Sequence, residues 1–187
     1  MTRWDGEVVT TTERLTLRTY REEDLPLYAA LNADPEVVEF LGGPLCREGS
    51  DEIAAYANDL WIRRGIGLLA VERTKDGAFL GMCGVHVLAS YPDDLEAGWR
   101  LAREHWGQGY ATEAASAWLR IAFEDQGAER VISATDPPNT RSIAVMERLG
   151  MTYDHEAVLD EHGDRFHAVI HSIARERWIE RNEGNTL

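Results

Sequence analysis

Cysteine and lysine are nearly absent: Cys46, Cys83 and Lys75 are all that 187 residues contain. The cysteines stand far apart, each without a Cys-x-x-Cys partner. That excludes a disulfide framework and a zinc ribbon, and a reduced, cytoplasmic setting is expected. A Walker phosphate loop needs Gly-Lys-Ser/Thr, and the lone lysine sits in Thr74-Lys75-Asp76. Long apolar runs are missing too. None reaches the roughly 18 residues of a membrane span, and the opening MTRWDGEVVTTTERLTL has no apolar leader segment. Positive charge is in deficit, with 19 Lys+Arg against 33 Asp+Glu and a formal charge of −14. Phosphate backbones call for a basic surface, so neither nucleic acid nor membrane is an expected partner. A cationic one is compatible.

What is present is ordinary for a globular protein: 44% hydrophobic and 28% charged residues, enough for a core in one domain over residues 1–187. Residues 1–12 read as a loose polar lead-in. Arg14 to Tyr20 alternates as a half-buried strand. Glu22 to Asn32 has helical spacing, and Asp34-Pro35 reads as a cap opening a short helix through Phe40, stopped by Gly42-Gly43-Pro44. Ser50 or Asp51 caps a helix to about Arg64, with Ile53, Ala54, Ala57, Leu60 and Trp61 as its buried stripe. Strands Leu68–Arg73 and Phe79–Ala89 flank the turn at Lys75-Asp76-Gly77. A third, about Leu95 to Leu101, follows a turn at Tyr91-Pro92-Asp93. A glycine-rich loop leads into a long helix from Tyr110 to Gln126. Strand Arg130–Thr135, helix Thr140–Leu149 and two strands hinged at His162-Gly163-Asp164 complete the chain. This order predicts a mixed α+β sheet, with the long helix crossing between parallel strands.

The strongest local signal is Trp106-Gly107-Gln108-Gly109-Tyr110-Ala111-Thr112, between a strand and a helix. Glycines there let backbone N–H groups approach a ligand, and a helix N-terminus adds partial positive charge, which together make a phosphate cradle or simply a tight turn. A dinucleotide fingerprint fails, because Thr112 stands where a third glycine belongs and strand 130–135 ends without an acid.

With Glu96-Ala97-Gly98-Trp99-Arg100-Leu101 before it and Pro138-Asn139-Thr140-Arg141-Ser142 after it, this loop resembles that of the GNAT superfamily of acetyl-CoA-dependent N-acetyltransferases. Within it, the chain is similar to the RimJ/RimL branch of ribosomal-protein alanine N-acetyltransferases, whose first strand Thr12-Glu13-Arg14-Leu15-Thr16-Leu17-Arg18 resembles. The likeness covers roughly residues 13–178. It implies a mostly antiparallel, twisted sheet of about seven strands with helices on both faces, splayed between the strands near Leu101 and Val131. Acetyl-CoA is the implied co-substrate, and a primary amine the acceptor: a cationic small amine or a protein N-terminus.

The resemblance also implies roles. Backbone N–H groups of Gln108, Gly109, Tyr110, Ala111 and Thr112, in a loop opened by Trp106 and Gly107, would take the pyrophosphate. The backbone of Trp99, Arg100 and Leu101 would pair with the pantetheine arm, and an N–H near Leu101 would donate to the oxyanion. Asn139 would hold the arm from its other side. Arg148 could reach the phosphates or be a solvated helix residue. The attacking amine must be neutral, and Glu96 is the first choice of base, the bland alternative being a solvated strand carboxylate. Met146 stands where many relatives carry a tyrosine. It cannot donate a proton, so Ser142 is left to hydrogen-bond the leaving sulfur. The same absence keeps a catalytically silent acyl-CoA-binding domain open as the alternative.

His86, Tyr91 and Trp99 line the acceptor pocket or pack in the core. His155, Glu156, Asp160, Glu161, His162, Asp164 and His167 cluster around a hairpin without a fixed ligand spacing, so no metal is expected. Ala168 to Ile173 could pair across a homodimer.

Overall fold

The computed structural model describes residues 3–161 and 163–183. Val8–Thr11 forms β1, antiparallel to β2 (Leu15–Arg18) with Val8 opposite Arg18 and Thr10 opposite Leu17. The expected loose lead-in thus contains a strand. Its Val-Val-Thr-Thr run has strong β propensity, and Thr12 N–H on the Leu15 carbonyl (2.8 Å) closes the turn. The remaining elements are α1 (Leu25–Ala33), α2 (Arg47–Arg64), β3 (Gly67–Arg73), β4 (Ala78–Leu88), β5 (Tyr91–Leu101), α3 (Tyr110–Arg120), β6 (Arg130–Thr135), α4 (Thr140–Arg148), β7 (Thr152–Glu161), β8 (Asp164–Ala174) and α5 (Arg175–Glu183). Among the described residues eight strands pair in the order β1-β2-β3-β4-β5-β6-β8-β7. The fold is α+β. β5 and β6 are parallel, so α3 does serve as the crossover. No helix among the described residues is long and apolar enough to cross a membrane.

The chain forms two compact units. Met1–Gly84 with Gly98–Ala117 is the first. Its core holds Leu15, Leu17, Leu69, Val71 and Leu80, all fully buried. Tyr20 and Tyr28 stack against one another at 5.1 Å, and each lies 6.4 Å from Phe79. Arg18 and Asn58 are buried here with partners. Arg18 gives Nη1 and Nη2 to Asp24 (2.6 and 2.9 Å) and Nε to Glu72 (2.8 Å). Asn58 accepts from Tyr20 N–H and donates to Tyr20 carbonyl, as a neighbouring strand would.

The helix expected after Asp34 does not form. Val37 and Val38 N–H both fall on the Asp34 carbonyl, and its carboxylate takes Glu36 N–H. One turn is closed, and Gly42 and Gly43, at φ +81° and +96°, prevent propagation. α2 begins earlier than expected because Cys46, not Ser50 or Asp51, caps it, its sulfur accepting from Gly49 N–H at 3.4 Å. Its buried face is Ser50, Ala54, Ala57 and Asn58, while Ile53 is exposed. Fixed hydrogen bonds of Ser50 and Asn58 rotate the expected stripe.

The second unit is Val85–Ala97 with Trp118–Leu187. β8 pairs with β6 from Arg130↔Ala174 to Thr135↔Val169 and with β7 from Thr152↔Ser172 to Glu161↔Asp164. Both its edges are used, so Ala168 to Ile173 cannot pair across a dimer. The chain reverses at Ala89-Ser90, and Tyr91-Pro92-Asp93 belongs to β5, not to a turn. After Arg120 the helix widens into a π-turn, Ile121–Asp125, with Gln126 N–H on the Ile121 carbonyl. That leaves the Phe123 carbonyl to Arg175 Nη2 at 2.5 Å. α5 is absent from the sequence reading because one aromatic, Trp178 against Phe123 at 5.2 Å, anchors an otherwise charged helix.

Candidate active site

The parallel pairing of β5 with β6 joins Leu95 to Val131 and Glu96 to Ile132 and, among the described residues, extends no further. Past it, Ser133 Oγ donates to the Ala97 carbonyl at 2.8 Å. Glu96 is 6% exposed. Its Oε2 lies 2.7 Å from His86 Nε2, and its Oε1 accepts from Ala134 N–H at 3.3 Å. At 2.7 Å a proton lies between ring and carboxyl group. Glu96 is therefore not the solvated strand carboxylate of the bland alternative. His86 keeps 26% side-chain exposure against 8% for Glu96, so the imidazole is the more open of the pair.

The glycine-rich loop is held at both ends. Trp106 Nε1 donates to the Leu101 carbonyl (2.8 Å), and Arg14 Nη1 to the Gln108 carbonyl (3.0 Å). Gly107 and Gly109 adopt φ +71° and +81°, and a Cβ on Gly107 would meet nothing within 4 Å. At Gly107, backbone conformation rather than lack of room asks for glycine. Glu113 N–H takes the Gly109 carbonyl (3.0 Å). The N–H groups of Gly109, Tyr110, Ala111 and Thr112 precede it and have no acceptor among the described residues. Arg14 also clasps Glu113 through Nε and Nη2, each 2.7 Å from Oε2, and lies over the Tyr110 ring at 4.6 Å. Thr12 Oγ1 donates to Glu113 Oε1 (2.5 Å). Burial would raise the Glu113 carboxyl, but Thr12 and Arg14 outweigh it and hold it below its ordinary value.

Asn139 caps α4: its Oδ1 accepts from Ser142 N–H (3.2 Å) and its Nδ2 donates to Thr135 Oγ1 (2.9 Å). Ser142 is half-buried, and its hydroxyl has no partner among the described residues. Met146 is fully buried, a core residue. Arg148 is exposed in the last turn of α4, where a cation complements the helix dipole. Trp99 is half-buried on β5. Tyr91 packs with Leu88, Ile132, Leu159, Ala168 and Ile170 and shares a 2.8 Å hydrogen bond with His155 Nε2, which assigns it to the core rather than to a pocket. Among the described residues no group of three or more His, Cys, Asp or Glu is placed to hold a metal. His155 lies near Asp154, His167 pairs with Glu156 (3.0 Å) and Asp160 with Gly163 N–H; His162 and the side chains of Glu161 and Asp164 lie outside the described residues.

The Arg14–Glu113 clasp, the His86–Glu96 contact and a cluster of Asn32, Ser50 and Arg100 escaped the sequence reading. Their partners are distant in sequence and follow no motif.

The acetyltransferase (GNAT) domain family matches residues 14–152. The chain belongs to the GNAT acetyltransferases. It is similar to the FsC-acetyl coenzyme A-N(2)-transacetylase of Aspergillus fumigatus, 32% identical over 192 residues covering 88% of this chain and 78% of that protein. The crystal structure of an acetyltransferase from Agrobacterium tumefaciens superposes with TM-score 0.76 at 30% identity, over 88% of this chain and 92% of that one. RimL, a ribosomal L7/L12 alpha-N-protein acetyltransferase solved with coenzyme A, shares the fold: TM-score 0.74, 16% identity, 90% of this chain and 98% of that one. This GNAT protein is thus an acetyl-CoA-dependent N-acetyltransferase with RimJ/RimL-type structural neighbours.

Proposed function

We propose that the enzyme transfers acetyl to a primary amine by direct attack in a ternary complex, with Glu96 as general base. The observation that carries this is the buried carboxylate itself, held by one imidazole and one backbone N–H. A carboxylate screened from water but hydrogen-bonded only at its edges keeps a lone pair for an incoming proton. The amine nitrogen forms the new C–N bond, the C–S bond breaks, and the amine proton passes to Glu96. His86, the more open member of the pair, then carries it toward solvent.

The remaining roles follow the chemistry of each group. Gly109, Tyr110, Ala111 and Thr112 offer N–H groups without acceptors at a helix start, the donor set a pyrophosphate needs; Gln108 belongs to the same turn. The backbone of Trp99, Arg100 and Leu101 pairs with the pantetheine arm, and an N–H near Leu101 donates to the developing oxyanion. Asn139 retains one amide hydrogen and one lone pair beyond its capping bonds, enough to hold the arm. Ser142 hydrogen-bonds the departing sulfur, and Arg148 contributes charge toward the phosphates.

Acetyl-CoA with a panel of amines, followed by free thiol release, tests the reading. Glu96→Gln should lower kcat by at least about tenfold, since positioned bases supply roughly 10²–10⁴. It should also abolish the acidic limb of the rate profile. Wild-type kcat across that profile would remove Glu96 as base. The enzyme would then select the neutral fraction of its amine, which suits an α-amino group near pKa 7.7–8.0 rather than a lysine near about 10.4.

A further inference from the structure

Among the arginines of the first unit, Arg18, Arg14, Arg21 and Arg73 each meet at least one carboxylate. Arg100 meets none among the described residues. Its one side-chain hydrogen bond among them runs from Nη1 to the Oδ1 of Asn32. Nε is shut off from water and has no acceptor. Asn32 and Ser50 are both fully buried, and Asn32 Nδ2 donates to Ser50 Oγ at 2.8 Å. That bond fixes the amide so that its oxygen, not its NH₂, faces the guanidinium. The backbone is fixed as well. Gly81, at φ +140°, lies so close to β5 that a Cβ there would come within 2.2 Å of the Arg100 carbonyl. The position is therefore built, yet its charge is uncompensated in a chain with 33 acids. A half-buried cation without a counter-ion is unfavourable, and nothing in the fold requires one. Asp24, buried in the same unit, is already held by Arg18.

We infer that Arg100 is a recognition site for a carboxylate carried by the amine acceptor. The chemistry selects this ligand class. Asn32 takes one Nη1 hydrogen and Nε is enclosed, which leaves the outer Nη1–Nη2 end of the fork, two N–H donors side by side that match the two oxygens of a carboxylate. The CoA pyrophosphate has its own donors at the start of α3, so the anion at Arg100 is assigned to the other substrate. The acceptor is thus an amino-acid-like molecule or a peptide N-terminus followed by an acidic side chain, the carboxylate being common to both. This rests on the acyl-transfer reading above.

The experiment compares matched acceptors. One arm uses free alanine, leucine, methionine, phenylalanine and glutamate against their C-terminal amides. The other uses peptide amides with Asp or Glu at the second position against Asn or Gln. In one arm the acid should exceed its neutral partner in kcat/KM by at least about tenfold, as a lost charge-assisted pair implies. Arg100→Gln should collapse that ratio toward unity, and Arg100→Lys should keep part of it. Asn32→Asp supplies an internal carboxylate, with Ser50 turning its hydroxyl round as donor; it should raise the melting temperature and lower the same ratio. Equal rates for acid and neutral acceptors in both arms, or a ratio untouched by Arg100→Gln, would overturn the inference. Should no amine be acetylated, the acyl-transfer reading fails by itself. Calorimetric binding of the N-acetylated acids and of their amides to wild type and Arg100→Gln then decides the carboxylate site without turnover.

Discussion

Buried charge sets the behaviour of single residues in this GNAT enzyme. Arg18 is 1% exposed and holds two carboxylates. Removing one partner of such a set leaves a buried charge uncompensated, so Asp24→Ala should cost about 3–5 kcal/mol in urea unfolding. His171 is buried too, its Nδ1 without a partner among the described residues. Burial disfavours its imidazolium, with Glu147 partly opposing, and the folded value lies below the ordinary 6.5. A depressed value means that the unfolded chain binds the proton more readily. Stability from this residue is full above about 6.5 and falls as pH drops from there through the folded value. His171→Phe should flatten that part of the stability profile relative to wild type, measured by urea unfolding at a series of pH values. Little of this could be read from the chain. Alternation along β5 puts Glu96 and Arg100 on one side, but it does not say that His86, ten residues back across a reversal, meets the carboxylate. Nor does it say that Arg100 finds an amide instead of an acid.

Elements with strong punctuation were the legible ones. Gly127 and Gly150, at φ +67° and +87°, close helical segments where the sequence places stops, and β6 has the predicted bounds, Arg130–Thr135. Asp34-Pro35 carries the same kind of signal, yet its turn is not continued, because two glycines with positive φ follow within the decade. Cys46 as a cap was not legible, since sulfur is a poor acceptor and Ser50 beside Asp51 is the better candidate on propensity. For the glycine-rich loop, Gly109→Asp should abolish the thermal stabilisation given by CoA while the apo melting temperature falls only modestly. The new side chain would sit at φ +81° and add negative charge where pyrophosphate is to bind. Differential scanning fluorimetry with and without CoA reads both effects.

At the scale of the whole molecule, net charge governs how copies of the chain meet one another. The chain carries −14 and reaches neutrality near pH 4.8. Self-repulsion opposes non-specific association at neutral pH, so light scattering should rise as pH descends toward that value and fall again on return. Strand order was the least legible property, because β6 beside β8 and β8 beside β7 are long-range pairings that periodicity cannot choose between. The π-turn at Ile121–Asp125 is the last of its helix, which ends at Gln126, and the Phe123 carbonyl it contains is met by Arg175. Relatives that close this helix with an ordinary α-turn should therefore have no need of an arginine at the place of Arg175.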